Sequence, residues 1–144
     1  MDTSPAHVPA PPRAPHPCPL RLDEALAKVD ALWSPRVVTT LNDYDVKVAR
    51  LQGAYVWHAH QDTDELFLVV DGTLHIDLRD APDAGERTVT LGTGALFTVP
   101  RGVEHRPHTE SGAQVVLLEP SGTLSTGDYA GEVPDHIDAT TGRK

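Results

Sequence analysis

Residues 57–72 read WHAHQDTDELFLVVDG, and this stretch decides both the fold and the chemistry of the chain. Side chains alternate in direction along a β-strand, so His58 and His60 project to one face, about 7 Å apart. Glu65 follows a short polar loop and precedes the apolar run LFLVV, which predicts a further strand. A buried carboxylate in that position needs a strong partner. The two imidazoles and the returning carboxylate therefore predict a metal site.

A second stretch, residues 94–108 (GALFTVPRGVEHRPH), supplies a third imidazole. Pro100 and Gly102 turn the backbone, and His105 opens the next strand. Three imidazoles and one carboxylate around one divalent ion leave coordination positions free for water or substrate, which is typical of a reactive centre. The identity of the ion stays open among Fe, Mn, Ni and Zn, because the same ligands suit all of these metals.

The two stretches resemble the paired motifs of the cupin superfamily. The first motif has the pattern His-x-His-x4-Glu-x6-Gly, and the second has the pattern Gly-x5-Pro-x-Gly-x2-His. Eight residues stand at those spacings: His58, His60, Glu65, Gly72, Gly94, Pro100, Gly102 and His105. The resemblance covers about residues 44–120. It implies an all-β fold, the cupin double-stranded β-helix or jelly-roll barrel, with one divalent metal ion held by the three histidines and Glu65.

Two positions depart from the family pattern. Gly53 precedes His58 by one residue fewer than the usual glycine does, and Thr109 stands where an Asn is often found. Because neither position is a metal ligand, we expect metal binding to survive both departures.

Short β segments separated by Gly, Asp and Pro follow residue 36, which favours a sandwich or barrel. Asp71-Gly72 predicts a two-residue hairpin turn, since type I′ geometry needs a positive φ at both central positions. Nine strands are predicted: 36–41, 44–51, 54–60, 65–70, 73–79, 87–91, 95–99, 105–109 and 114–119.

One short helix is predicted before the strands, over residues 20–33, ending before Pro35. A single apolar stripe on such a helix indicates packing against the outside of a sheet. The stripe consists of Leu22, Leu26, Val29 and Trp33.

The length of 144 residues leaves room for one domain with one core. Residues 1–19 contain seven prolines and are interpreted as a flexible arm, residues 20–120 as the barrel with its helix, and residues 121–144 as an irregular tail. His7 and His16 of the arm are interpreted as free surface histidines, with a second metal site as the alternative.

Charge and hydropathy exclude several kinds of partner. A net charge of −9 with only 12 Lys and Arg argues against nucleic acid. No stretch approaches the roughly 18 consecutive apolar residues of a membrane span, and the early prolines break any signal-peptide core. The single cysteine, Cys18, fits a reducing compartment. We therefore expect a cytoplasmic protein without a membrane or nucleic-acid partner.

Strand alternation divides the candidate residues between two faces. His75 is expected on the outer face, and so is His108, because it stands an odd number of residues from His105. The residues expected to contact a substrate are Arg50, Phe67, Ile76 and Phe97.

Arg50 is the least determined of these residues. An arginine on the inner face could hold an anionic group through two hydrogen bonds. In the alternative, Arg50 points outward and Lys47 and Ala49 point inward. The alternation pattern leaves both orientations open.

The outer face carries an apolar patch, which usually marks an interface. A homodimer, common among similar small cupins, is therefore predicted. The patch is expected to contain Tyr55, Trp57, Leu66, Leu68 and Val70.

Two functions remain open at this point, since the cupin resemblance implies dioxygenases, isomerases, decarboxylases and binding proteins alike. The first is a metal-dependent enzyme of dioxygenase or sugar-phosphate isomerase type, acting on a small organic substrate, anionic if Arg50 faces inward. In it, Glu65 either stays bound or acts as the catalytic base. The second is a non-catalytic, metal-containing module for small-molecule binding or stress response.

Overall fold

The computed structural model describes residues 14–143, in which strands predominate. Because these strands follow a helix of only six residues, the predicted all-β class is confirmed. The described elements are α1 (Leu22–Ala27), β1 (Arg36–Leu41), β2 (Tyr44–Ala54), β3 (Glu65–Gly72), β4 (Leu74–Arg79), β5 (Arg87–Leu91), β6 (Leu96–Val99) and β7 (Glu104–Pro120).

Strand β7 joins two groups of antiparallel strands. Its second half pairs with β2 and β3, in the order β1-β2-β7-β3-β6. Its first half pairs with the end of β2, at Gly53 and Ala54, and with β4, which pairs with β5. The register shifts where the halves meet, near Gly112, whose φ is +98°. The strands predicted at 105–109 and 114–119 are therefore one strand that serves both groups.

The predicted hairpin at Asp71-Gly72 is wrong. Strand β3 pairs with β6 and β7, whereas β4 pairs with β5 and β7. The chain therefore crosses from one group of strands to the other at this point. Gly72 has a φ of +88°, and a Cβ there would overlap the carbonyl oxygen of Gly112. The glycine is thus required by the close approach of β3 to the bend in β7, and not by a type I′ turn.

The inner and outer faces of β3 and β4 were predicted correctly despite the wrong pairing, because alternation does not depend on which strand is the neighbour. The main core lies between the two groups of strands. It includes Phe67, Val69, Leu74, Ile76, Leu78, Val115 and Leu117.

The strand predicted at 54–60 does not form. Strand β2 continues to Ala54, and the chain then runs irregularly to β3. His58 makes a two-way backbone bridge with His105 (N···O 3.1 and 2.8 Å), and Tyr55 donates a single backbone hydrogen bond to Pro107 (2.9 Å). This bridge fixes one end of the segment that carries two of the predicted ligands.

Helix α1 is shorter than predicted. It ends at Ala27 with a C-cap at Lys28, and Trp33 has a φ of +52°, which a helix does not accommodate. Leu26 and Val29 pack on a cluster that includes Leu68 and Val70, so α1 covers part of the face where a dimer contact was expected. The homodimer remains a prediction.

The C-terminal residues 121–143 lie against the barrel without a helix or strand of their own. Ile137 packs in the main core, and Val37 donates a backbone hydrogen bond to Gly142. Arg143 forms an ion pair with the buried Asp45 (2.7 Å). The tail is therefore part of the packed structure.

Part of the predicted N-terminal arm, including His7, lies outside the described residues. The backbone N–H of His16 donates to Thr39 Oγ1 (3.1 Å). No helix in residues 14–143 has the length and apolar character needed to cross a membrane.

Candidate metal centre

The structure brings together the four residues that the two motifs indicated. His58 and His60 lie in the irregular segment after β2, Glu65 is the first residue of β3, and His105 is the second of β7. One nitrogen or oxygen of each residue lies within 4.8 Å of those of the others. All four side chains are buried, with His105 at 1% exposure and His60, the most accessible, at 7%. Four such groups could hold a metal ion.

Two of the imidazoles are oriented by backbone carbonyls. Nδ1 of His58 donates to the carbonyl oxygen of Val56, and Nδ1 of His105 donates to that of Val103, both at 2.9 Å. Because a carbonyl only accepts, the proton of each neutral ring lies on Nδ1 and the lone pair of Nε2 is free. This is the outer-shell arrangement that orients metal-binding histidines in proteins.

The distances around Glu65 fit a shared ion. Its Oε1 lies 3.3 Å from His105 Nε2, and its Oε2 lies 3.4 Å from His60 Nε2. Two atoms bound about 2.1 Å from one ion, at octahedral to tetrahedral angles, lie about 3.0–3.4 Å apart. His60 Nε2 is buried without a well-formed hydrogen bond to any residue in 14–143. An ion would supply that atom with a partner.

The electrostatics of the cluster favour the forms that bind metal. Burial, with the adjoining His105, lowers the pKa of His58 from 6.5 to about 4. Burial alone would raise the pKa of Glu65, but the adjoining His105, His60 and Glu119 side chains hold it well below its usual range. A neutral imidazole and an ionised carboxylate are the states that ligate a divalent ion.

The lowered pKa of His58 predicts that the metal-free protein loses stability in acid. Between pH 6.5 and about 4 the unfolded chain binds a proton at this residue and the folded chain does not. The free energy of unfolding should therefore fall as the pH drops through this interval, by at most about 3 kcal/mol from this group. Urea unfolding with a chelator at pH 7 and pH 4.5 measures the fall. A His58→Gln variant should show a smaller fall, and an equal fall would contradict the assignment.

Lys47 and Glu119 form a buried ion pair beside the cluster, which the motif analysis missed. Lys47 Nζ donates to Glu119 Oε1 (2.7 Å) and to the carbonyl oxygen of Thr123 (3.1 Å). Burial and the negative charge of Glu65 raise the pKa of Glu119 well above its usual range, although Lys47 opposes the shift. Strand alternation places Glu119 on the inner face, because it stands two residues after Leu117, whose side chain faces inward.

A cavity of about 30 Å³ adjoins the cluster at His58 and Glu65. Phe67, one of the predicted substrate contacts, is part of its wall. Most of its other walls are apolar, and they include Trp33, Pro35, Leu51, Tyr55, Pro107 and Leu117, with Glu119 and Ser125 as polar members.

The other predicted substrate contacts lie elsewhere. Ile76 is fully buried in the core, and Phe97 is half-buried against it; neither belongs to the described lining of this cavity. Arg50 is exposed, and its Nη1 donates to the carbonyl oxygen of Val29 (3.3 Å). The structure thus adopts the alternative orientation, with Lys47 and Ala49 inward. Glu119 makes this possible because it balances the buried charge of Lys47.

Two aromatic residues line the cavity against expectation. Tyr55 was predicted on the outer face, but β2 ends at Ala54 and its alternation does not continue. The Tyr55 ring packs 4.8 Å from that of Trp33, whose Nε1 donates to the carbonyl oxygen of Gln52 (2.7 Å). Both side chains are buried. Neither position carries a local pattern that predicts a cavity wall.

The histidines that strand parity excluded do lie outside the cluster. His75 and His108 stack on each other with ring centroids 5.2 Å apart. His108 Nε2 lies 3.0 Å from Asp77 Oδ1, and Asp77 also pairs with Arg106 (2.8 Å). Trp57 lies nearby, half-buried, with the Arg79 guanidinium 3.7 Å from its ring centre.

Comparison with known proteins agrees with this geometry. A family model described as the cupin domain matches residues 47–120. The uncharacterised protein YdbB of Bacillus subtilis (strain 168) is 38% identical over 69 residues, which span 48% of this chain and 57% of that protein. The match thus covers little more than half of that relative.

Solved structures share the fold. A cupin-2 domain containing protein from Shewanella frigidimarina is 37% identical, with a TM-score of 0.64 over 70% of this chain and 93% of that one. A hydroquinone 1,2-dioxygenase from Sphingomonas sp. TTNP3, solved with 4-hydroxybenzoate bound, is 19% identical, with a TM-score of 0.61 over 82% of both chains.

Proposed function

Because this chain belongs to the cupin family and buries four residues that could hold a metal ion, we propose that it is a metal-dependent dioxygenase. Its substrate would be a small, uncharged organic molecule. The observation that carries the proposal is the placement of His58, His60, Glu65 and His105 beside an apolar cavity. A bound ion would supply open coordination positions that polarise a substrate oxygen and activate dioxygen.

The side chains of this protein have distinct roles in that scheme. His58, His60 and His105 would hold the ion through Nε2, with two of these rings fixed by carbonyls. Glu65 would complete the ligand set as an ionised carboxylate. Trp33, Tyr55 and the other apolar walls would exclude water from the reacting groups.

The size of the cavity favours dioxygenase over isomerase chemistry. On the scale where one water needs about 10–15 Å³, a volume of about 30 Å³ holds roughly two water-sized groups. That space fits dioxygen or one oxygen-bearing group of a substrate whose remainder lies outside the cavity, and a dioxygenase needs such a place for dioxygen.

The charge of the cavity also favours a dioxygenase over a sugar-phosphate isomerase. Among the described residues of its lining none is Arg or Lys, and the nearby Lys47 is already paired with Glu119. The ionised Glu65 would repel an anion. These charges therefore favour an uncharged substrate over the anionic one that an inward Arg50 would have implied. The distant hydroquinone 1,2-dioxygenase, whose name gives an uncharged substrate, is a fold-level precedent for this chemistry.

Oxygen uptake by the Fe²⁺-loaded protein tests the proposal. With a panel of hydroquinone, catechol and 2,4-pentanedione, we expect uptake of dioxygen matched by loss of one of these compounds. His60→Ala should abolish the uptake without changing the circular dichroism spectrum, because it removes a ligand and leaves the strands intact. His75→Ala, which changes a histidine outside the cluster, should keep it.

Two outcomes would overturn the assignment. Stabilisation by a panel compound without oxygen uptake would indicate the non-catalytic binding module. Conversion of a sugar phosphate by the metal-loaded protein would indicate an isomerase.

A further inference from the structure

Two charged residues are buried beside the candidate metal centre without a role in the proposed chemistry. Lys47 is 0% exposed and Glu119 is 1% exposed, and the two side chains form an ion pair at 2.7 Å. Removing two charges from water is costly, and a buried pair is often no more stabilising than apolar residues of similar volume. The position of this pair therefore calls for an explanation other than stability.

The pair is connected to the candidate ligands. Glu119 and Glu65 line the same cavity, and Glu119 is one of the side chains that lower the pKa of Glu65. Glu65 in turn lies 3.3 Å from His105 Nε2 and 3.4 Å from His60 Nε2. A continuous buried chain of polar contacts thus runs from Lys47 through Glu119 and Glu65 to the imidazoles.

Lys47 and Glu119 are each tied to a further part of the structure. Lys47 Nζ also donates to the carbonyl oxygen of Thr123 (3.1 Å), which fixes the ammonium group against the C-terminal tail. Glu119 lies near the end of β7, the strand that also carries His105. The carboxyl of Glu65 contacts His105 and His60 and shares the cavity wall with Glu119.

We propose that Glu119, anchored by Lys47, is a positioning residue that keeps the carboxylate of Glu65 turned toward the metal ion. This inference rests on the proposed metal site. Groups that orient a metal ligand from outside typically change metal affinity by about 10–100-fold when they are removed. Glu119 and Lys47 do not touch the ion in this account and act only through Glu65.

Titration with Co²⁺ tests the inference, because the affinity and the visible absorption spectrum of the bound ion both report on Glu65. The double variant Lys47→Met/Glu119→Leu replaces the pair with apolar side chains and leaves no unpaired charge. We expect it to bind Co²⁺ about 10–100-fold more weakly, with an altered spectrum, while its thermal stability stays at or above that of the wild type. The single variant Glu119→Gln keeps groups that can hydrogen-bond to Lys47 and to Glu65. It should show the wild-type affinity and spectrum.

Controls separate positioning from stability. Asp77→Asn removes a buried charge on the outer face and should lower stability without changing Co²⁺ affinity. Should the double variant fail to fold, Glu119→Asp retains the charge opposite Lys47 but draws the carboxyl back from Glu65, and it should bind Co²⁺ more weakly.

Wild-type affinity and spectrum in the double variant, or in Glu119→Asp if the double variant does not fold, would overturn the inference. Failure of the wild-type protein to bind Co²⁺ would instead remove the proposed metal site.

Discussion

Replacing His105 with alanine should abolish metal binding, with a loss of affinity greater than the roughly 100-fold effect typical of outer-shell residues. His105 Nε2 lies 3.3 Å from Glu65, and its ring centre lies 4.3 Å from that of His58 and 5.7 Å from that of His60. It is the member of the cluster that comes from the second motif. Without it, the three remaining ligands all come from residues 58–65.

His108→Ala is the matched control, since it removes an imidazole three residues further along β7 and outside the cluster. Competition with a chromophoric chelator measures the affinity of both variants for Zn²⁺. The backbone bridge between residues 58 and 105 does not need the imidazole, so the barrel should still form. Wild-type affinity in His105→Ala, or loss of affinity in His108→Ala alone, would contradict the assigned ligand set.

Lys47→Met should destabilise the metal-free protein by about 3–5 kcal/mol, the usual range for breaking a buried ion pair. The substitution leaves the Glu119 carboxyl buried beside Glu65 without its cation. Urea unfolding at pH 7 in the presence of a chelator measures the loss. The double variant Lys47→Met/Glu119→Leu should recover the whole loss, because neither charge then remains.

The size of this loss should depend on pH. The pKa of Glu119 is already raised in the folded protein, and removing Lys47 raises it further. A folded chain that holds its proton more tightly than the unfolded chain loses stability as the pH rises. Lys47→Met should therefore be more damaging at pH 8 than at pH 5. A decrease in the free energy of unfolding of less than about 1 kcal/mol at both pH values would indicate that water reaches the ion pair and contradict its burial.

The clustering of His58, His60, Glu65 and His105 could be predicted from the sequence because the relevant information is local. His58 and His60 are two residues apart, Glu65 follows within one short loop, and the Pro100-x-Gly102 spacing places His105 at the start of a strand. Parity along the strands also excluded His75 and His108, which the structure places on the outside.

Strand pairing could not be predicted in the same way. Asp71-Gly72 has the composition of a hairpin turn, but β3 obtains its partners from β6 and β7, which lie far away in the sequence. The positive φ of Gly72 serves the contact with Gly112. Which strands meet is decided by burial of the whole core, and a dipeptide does not contain that information.

The cavity shows the same limitation. Trp33 was predicted to belong to a helix and Tyr55 to an outer face, yet they pack on each other in the cavity wall. Strand alternation places Glu119 on the inner face, but Glu119 belongs to no motif that would mark it as a functional residue. The alternation pattern left open whether Arg50 or Lys47 faces inward. Lys47 does so, because Glu119 is its buried partner.

The most direct test of the central claim is elemental analysis of protein purified without added metal or chelator. A centre of three histidines and one carboxylate predicts about one equivalent of a divalent transition metal per chain in the wild type, and almost none in His105→Ala. A wild-type protein that is folded and free of metal under these conditions would contradict the account. So would a variant that retains its full equivalent.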